Sequence, residues 1–439
     1  MSEGRASWRL APAIVLTALA AALFAIAFRA SFAAVVSALG GDNVVAMIDR
    51  APMWERLALP AAGGLAAGLV ALVAARVREG AGVGFVMEAI VLGRVRIPLT
   101  RSALQAVASW LAIVGGNSLG REGPLIQFGA ASGEASRRLL RLDDTTARLV
   151  LAAGVAAGFA SAYNAPIAAV LFVVEIVTGV LVLEAIVPVL IATVIATVVT
   201  RLVMGGAPLY QVRTFAMHSW WALFAFAGLG LVAAPIGVMF LRWLSLVDRW
   251  WKRLPMPVRP ALGGLTCGAI LCGLPMVAGN GFEPLDALLD GRIPAAMVAW
   301  LLVAKPVATA ASVGSGNPGG VFTPTLLIGG CVGSLFALGL GELGIAADPG
   351  SYALVGLAAA LAATTHAPMT AAILACELSG DYALVLPLLV ACALAAGLAR
   401  RLYIDSVYTA ELTRRGLRWR LTLDGRRVVE NQQSAVDVV

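Results

Sequence analysis

The chain has 439 residues, 60% of them hydrophobic and 13% charged, with a mean hydropathy of +0.89. No soluble core of this length hides so much apolar surface, so composition excludes an ordinary globular domain and leaves a polytopic membrane protein. The net charge of +7 is carried largely by arginines that flank apolar segments, without the aromatic-basic interleaving of a nucleic-acid groove, so no nucleic-acid partner is expected.

Apolar runs cover roughly residues 10–40, 57–77, 147–203, 219–246, 260–279, 296–313, 323–342 and 352–400. Several are too long for one crossing and must fold back, while others are short and broken by Gly or Pro. At membrane depth such broken backbone is tolerated only where it is packed in protein or lines a polar cavity. The first run, with Arg5 and Arg9 ahead of it and the triplet Ala18-Leu19-Ala20 inside, has the outward form of a secretory signal. A retained first helix is the stronger reading, because all that follows also belongs in a membrane. Arginines at both ends, including Arg414, Arg415, Arg418, Arg420, Arg426 and Arg427, predict cytoplasmic termini by the positive-inside bias.

Gly80-Ala81-Gly82-Val83-Gly84 has the look of a nucleotide loop but follows no strand and opens no βαβ unit. Five cysteines lie in apolar surroundings without metal spacing, and His218 and His366 are the only histidines. No metal, no cofactor and no catalytic residues are therefore expected, and a hydrolytic enzyme is excluded.

The chain repeats itself. Pro60, Gly63, Gly64, Gly68, Gly120, Pro124, Gly129 and Gly133 recur 200 residues later as Pro260, Gly263, Gly264, Gly268, Gly320, Pro324, Gly329 and Gly333. Gly154, Pro166 and Glu175 recur as Gly356, Pro368 and Glu377, the offset having grown to 202. The division this implies is a first segment and membrane helix at 1–54, repeats at 55–205 and 255–400, connecting helices at 206–254, and a terminal helix with a basic tail at 401–439 that is too short for a regulatory domain.

Within the first repeat, Gly120-Arg121-Glu122-Gly123-Pro124 places a carboxylate between apolar stretches, where it is costly unless it has a role. The glycines permit close backbone approach and the proline suits a first helical turn, so the motif describes a helix start with outward amides. Such an end carries partial positive charge and free N–H donors that suit a small anion. Gly316-Asn317-Pro318-Gly319-Gly320-Val321-Phe322-Thr323-Pro324 builds a matching start in the second repeat. A glutamate beside an anion site competes with the anion when ionised and vacates it when protonated, which makes Glu122 a gate. The bland alternative is pairing of Glu122 with Arg121 or another arginine. Glu175 and Glu377 read as structural acids at helix ends, Lys305 as a snorkelling residue or partner of helix-end carbonyls, and Asn164 and His366 as hydrogen-bonding helix starts.

These two glycine motifs in order, with Tyr408 near the end, resemble the CLC chloride channel and transporter family in its short bacterial ClcB-like form. The resemblance covers roughly 55–410. It implies an all-α integral membrane fold, an inverted repeat of many tilted and broken helices, in a homodimer with one anion pathway per subunit in a bacterial inner membrane. It makes Glu122 the external gate for chloride or a similar small anion. It assigns the Val321 and Phe322 amides and the Tyr408 hydroxyl to a central anion, with Gly320 beside them, and the amides of Arg121, Glu122 and Gly123, after Gly120, to an outer one.

Two departures bear on mechanism. Ala81 stands where the family usually supplies a serine hydroxyl to the anion, and Ile176 stands where well-coupled exchangers carry an inner proton-passing glutamate. The second favours a passive channel, voltage- or pH-dependent, over a proton-coupled antiporter that uses Glu122 and a water-based inner route. A non-transporting membrane scaffold or sensor is the reading from another class.

Overall fold

In a bilayer the backbone must satisfy its own N–H and C=O groups, and here it does so almost wholly with helices. The computed structural model describes residues 3–77, 82–93, 96–180, 183–210, 220–256, 258–414, 417–422 and 425–430. The first half holds α1 (Glu3–Ala38), α2 (Val44–Arg50), α3 (Met53–Val77), α4 (Gly82–Leu92), α5 (Leu99–Val114), α6 (Glu122–Leu140), α7 (Asp144–Tyr163), α8 (Pro166–Phe172) and α9 (Leu183–Met204). After the connecting α10 (Ala222–Trp251) come α11 (Val258–Gly273), α12 (Phe282–Leu289), α13 (Ala295–Gly314), α14 (Phe322–Glu342), α15 (Pro349–Thr365), α16 (Pro368–Ser379) and α17 (Val385–Leu402). α18 (Thr409–Arg414) follows Tyr408. The tail then adds an antiparallel hairpin of β1 (Leu417–Thr422) and β2 (Gly425–Glu430), where Leu417-Arg418-Trp419-Arg420-Leu421 alternates with the period of a strand.

Among the described residues, eight helices are long and apolar enough to cross a membrane: α1, α3, α7, α9, α10, α13, α14 and α17. α1 packs against α6, α7 and α9 as an integral part of the fold. α7 and α15 are apolar on all sides and are buried nearly all round, as such helices must be when they lie at a centre and not at a lipid face.

The helices break at the same places in both halves. α7 ends at Asn164 (φ 57°) and α15 at His366 (φ 60°), both left-handed, and Pro166 and Pro368 then open the next helix. The expected helix-start role of Asn164 and His366 is thus corrected: they are C-caps, and the N-caps that follow are Ala165 and Ala367. Gly116 and Gly316 also share their backbone, with φ of 93° and 94°.

Contacts between the halves are reciprocal. A Cβ on Gly64 would strike the Pro260 carbonyl, and one on Gly264 the Pro60 carbonyl, so α3 and α11 run antiparallel at backbone contact. The Glu175 carboxylate accepts hydrogen bonds from the amides of Met369 (3.1 Å) and Thr370 (2.7 Å) and from the Thr370 hydroxyl (2.7 Å), while Glu377 accepts from Ile167 (3.0 Å) and Ala168 (2.7 Å). Each acid therefore caps the helix opened by the other half's proline. Contacts that remain when the partners are exchanged define a two-fold relation. Because the related α3 and α11 run in opposite directions, the repeat is inverted.

Candidate functional site

The starts of α6 and α14 meet head to head. Gly120 N donates to Gly320 O (2.7 Å) and Gly320 N to Gly120 O (2.8 Å), an isolated antiparallel bridge on the two-fold. A Cβ on either glycine would run into the Glu122 carboxylate, so a larger residue fits only where that side chain moves aside. Neither helix has a cap from its own N-cap residue, Arg121 for α6 and Val321 for α14.

The cap of α14 comes from the other half. Glu122, 1% exposed, sends its carboxylate across the bridge, where Oε1 accepts from the Phe322 amide (3.0 Å) and Oε2 from the Thr323 hydroxyl (2.9 Å). An ionised acid at this depth loses several kcal/mol of hydration, and hydrogen bonds to a charged group return about 1.5–3 kcal/mol each, helped by the partial positive charge of the helix end. Arg121 is not its partner. The guanidinium of Arg121 lies 4.9 Å over the Phe282 ring, and among the described residues Glu122 forms no ion pair. The Phe322 amide, assigned by resemblance to a central anion, is thus engaged by the Glu122 carboxylate.

Two side chains missed by sequence reasoning complete this arrangement. Thr323 lies inside the second motif, where only its neighbours were given roles. Tyr163, at the end of α7, has its hydroxyl 3.0 Å from that of Thr323 and is itself buried. The Tyr163 ring also packs against Phe322 (5.4 Å between centroids) and Phe159 (4.8 Å). A tyrosine before Asn-Ala-Pro in an apolar run reads as core; the available signal was that position 365, its repeat partner, is threonine.

Beside the bridge lies a cavity of about 180 Å³, walled by Gly123, Gly320, Val321, Tyr408, Gly82 and Glu411 among others. A second cavity of about 200 Å³ shares Gly82, Gly123, Gly319 and Glu411 with it. The Tyr408 hydroxyl is buried without a hydrogen-bond partner among the described residues, and its ring stands edge-on to Phe172 (5.9 Å). Of the residues singled out, Gly120, Arg121, Glu122, Gly123, Gly320, Val321, Phe322 and Tyr408 are therefore at or around one junction. Ala81 lies outside the described residues. The α4 start that follows it is present, with the Gly82 amide donating to Gln127 Oε1 (2.9 Å).

A sequence profile of the family described as "Voltage gated chloride channel" matches residues 62–400. The chain belongs to that family, the CLC family. It is 39% identical over 408 residues to a ClcB-like chloride channel protein of Ralstonia nicotianae, covering 90% of this chain and 94% of the relative. To the voltage-gated ClC-type chloride channel ClcB of Citrobacter koseri it is 36% identical over 385 residues, covering 84% and 89%. The crystal structure of a slow cyanobacterial Cl⁻/H⁺ antiporter superposes with a TM-score of 0.80 at 25% identity, over 93% of this chain and 98% of that one. A CLC-type fluoride/proton antiporter shares the fold, with a TM-score of 0.76 at 22% identity over 90% and 97%.

As a CLC protein the chain is a multi-pass membrane protein of an anion-transporting family. Within it, Lys305 is fully buried and donates to the carbonyl of Val277, which ends a 3-10 turn over Pro275–Val277, as expected of a helix-end partner, and to that of Gly279 in the turn that follows (2.9 Å each). Glu175 and Glu377 are spent on the crossed caps. Ile176, in place of an acid, is buried in the core.

Proposed function

We propose that this protein conducts chloride or a similar small anion passively across a bacterial inner membrane, through one pathway in each subunit of a homodimer, with Glu122 as the gate. The observation that carries the reading is the seat of the Glu122 carboxylate: it lies on the amide end of α14, a position whose chemistry fits a free anion. A side chain that itself mimics the permeant ion must leave before an ion can take its place, and protonation removes the charge that holds it there. The amides of Arg121, Glu122 and Gly123 at the α6 start, with Gly320, Val321 and Tyr408 in the cavity wall, supply the remaining anion contacts. By the family resemblance Ala81 stands in the place of a serine, and an alanine there has no hydroxyl to offer a chloride. We place the repeats at 55–205 and 255–400 with both termini cytoplasmic.

The test is chloride efflux from liposomes containing the full-length protein. Wild type should release chloride, faster as the pH falls, and Glu122→Ala should release it at a rate independent of pH. Efflux no faster than from protein-free vesicles would refute transport and leave the scaffold reading. A proton-coupled antiporter is the second reading, favoured by the likeness to the Cl⁻/H⁺ antiporter structure. It wins if an imposed chloride gradient drives protons uphill in the same vesicles.

A further inference from the structure

Glu122, Thr323 and Tyr163 form a chain of hydrogen bonds whose direction depends on the charge of its first member. Thr323 has one hydroxyl proton, and it points to Glu122 Oε2 (2.9 Å). Tyr163, 3.0 Å away, must therefore donate to the Thr323 oxygen. The Phe322 amide and the Thr323 hydroxyl then donate to the ionised carboxylate and Tyr163 to Thr323, so each of these three protons has an acceptor. Protonating Glu122 adds a fourth. If the new proton points to Thr323, the Thr323 proton must turn to Tyr163, and the Tyr163 proton loses the acceptor it has among the described residues. The chain is complete for the carboxylate and one bond short for the acid.

The titratable and charged groups near Glu122 are Arg121 on its own helix start, Tyr163 on α7 and Tyr408 ahead of α18, with Arg29 of α1, Glu283 of α12 and Tyr210 beyond Arg121 and Glu411 of α18 on the wall of the neighbouring cavity. Arg121 is turned onto Phe282, and all three members of the chain are 2% exposed or less. The repeat has no equivalent, since positions 123 and 365, the partners of Thr323 and Tyr163, are glycine and threonine.

We propose that the Thr323 and Tyr163 hydroxyls are a latch that holds Glu122 on α14 while it is ionised and releases it on protonation, so that these two positioning residues set how strongly pH controls anion flow. The proposal rests on the gate reading above. One hydrogen bond to a charged group corresponds to a population change of about tenfold or more.

The experiment is chloride efflux from liposomes at acid and alkaline pH, with full-length variants. Thr323→Val, which keeps the shape and removes the hydroxyl, should raise alkaline efflux about tenfold and leave acid efflux unchanged. Thr323→Ser should restore the wild-type profile. Tyr163→Phe, which removes one oxygen from a ring still packed against Phe159 and Phe322, should act in the same direction by about threefold, and it decides the matter if Thr323→Val does not fold. Neither change should add to Glu122→Ala. A wild-type profile in both hydroxyl variants, or equal changes at all pH values, overturns the latch while a flat Glu122→Ala profile preserves the gate. A wild-type profile in Glu122→Ala overturns both.

Discussion

The starts of α6 and α14 have the same backbone and opposite chemistry. Each follows a glycine-rich turn, lacks a cap from its own N-cap residue and shares the Gly120–Gly320 bridge equally. Yet α6 contributes a carboxylate at position 122 where α14 has Phe322, and α14 contributes a hydroxyl at position 323 where α6 has Gly123. The charged group of one half is therefore satisfied by the backbone and hydroxyl of the other. Symmetry places two amide ends together, and its failure at two positions turns one of them into a seat that a side chain of the other half occupies.

The comparison can be broken most severely at its axis. Gly320→Ala puts a methyl where the Glu122 carboxylate lies and should push it off the Phe322 amide, costing about 1.5–3 kcal/mol for the lost hydrogen bond to a charged group. Thermal unfolding in detergent measures it. In a Glu122→Ala background the same substitution should cost much less, because the group it strikes is gone; an undiminished cost would mean that backbone strain at the bridge, and not the carboxylate, demands glycine.

The crossed caps sharpen the comparison, since here the halves should behave alike. Glu175→Ala and Glu377→Ala should each destabilise by about 1–2 kcal/mol, as expected for lost helix caps. Glu175 should be the costlier because the Thr370 hydroxyl gives it a third bond. Equal proton-independent flux per folded protein in both variants would confirm that these acids serve structure; selective loss of flux in Glu175→Ala would give it a place in the pathway.

The smallest effect is expected at the membrane surface. Asp143 caps α7 through the amides of Thr145 (3.1 Å) and Thr146 (3.2 Å), and the Thr146 hydroxyl and then its amide hold this carboxyl below the usual range. A lowered folded-state value means that the contribution is present above the unfolded value, about 3.9, and is lost as pH falls through the folded one. Asp143→Ala should cost about 0.5–1 kcal/mol near neutrality. The difference from wild type should vanish in strong acid; a difference that persists there would assign the effect to something other than the charged cap.

Much of this was legible in the residues. Composition demanded a membrane, the offset of 200 demanded two related halves, and a carboxylate between glycines in apolar sequence demanded a role. Glu175 and Glu377 could be read as helix-end acids because both copies keep them, although nothing in the chain said that each caps the helix of the other half. Lys305 could be read as a partner of helix-end carbonyls, but not of that of Val277 in particular. His366 and Asn164 were placed at the wrong end of a break, because a polar residue two positions before a proline is compatible with a C-cap and with a helix start. Only the left-handed backbone distinguishes them.

The sequence by itself determined the membrane class, the duplication and the chemical types at the junction, since these follow from hydropathy, spacing and the cost of a buried charge. The tertiary structure alone decided which amide Glu122 occupies, that Arg121 turns away to Phe282, and that Tyr163 reaches Thr323. Those contacts join residues 160 to 201 positions apart across an inverted interface. Local preference carries no information about such pairs; the packing of antiparallel helices at backbone distance does.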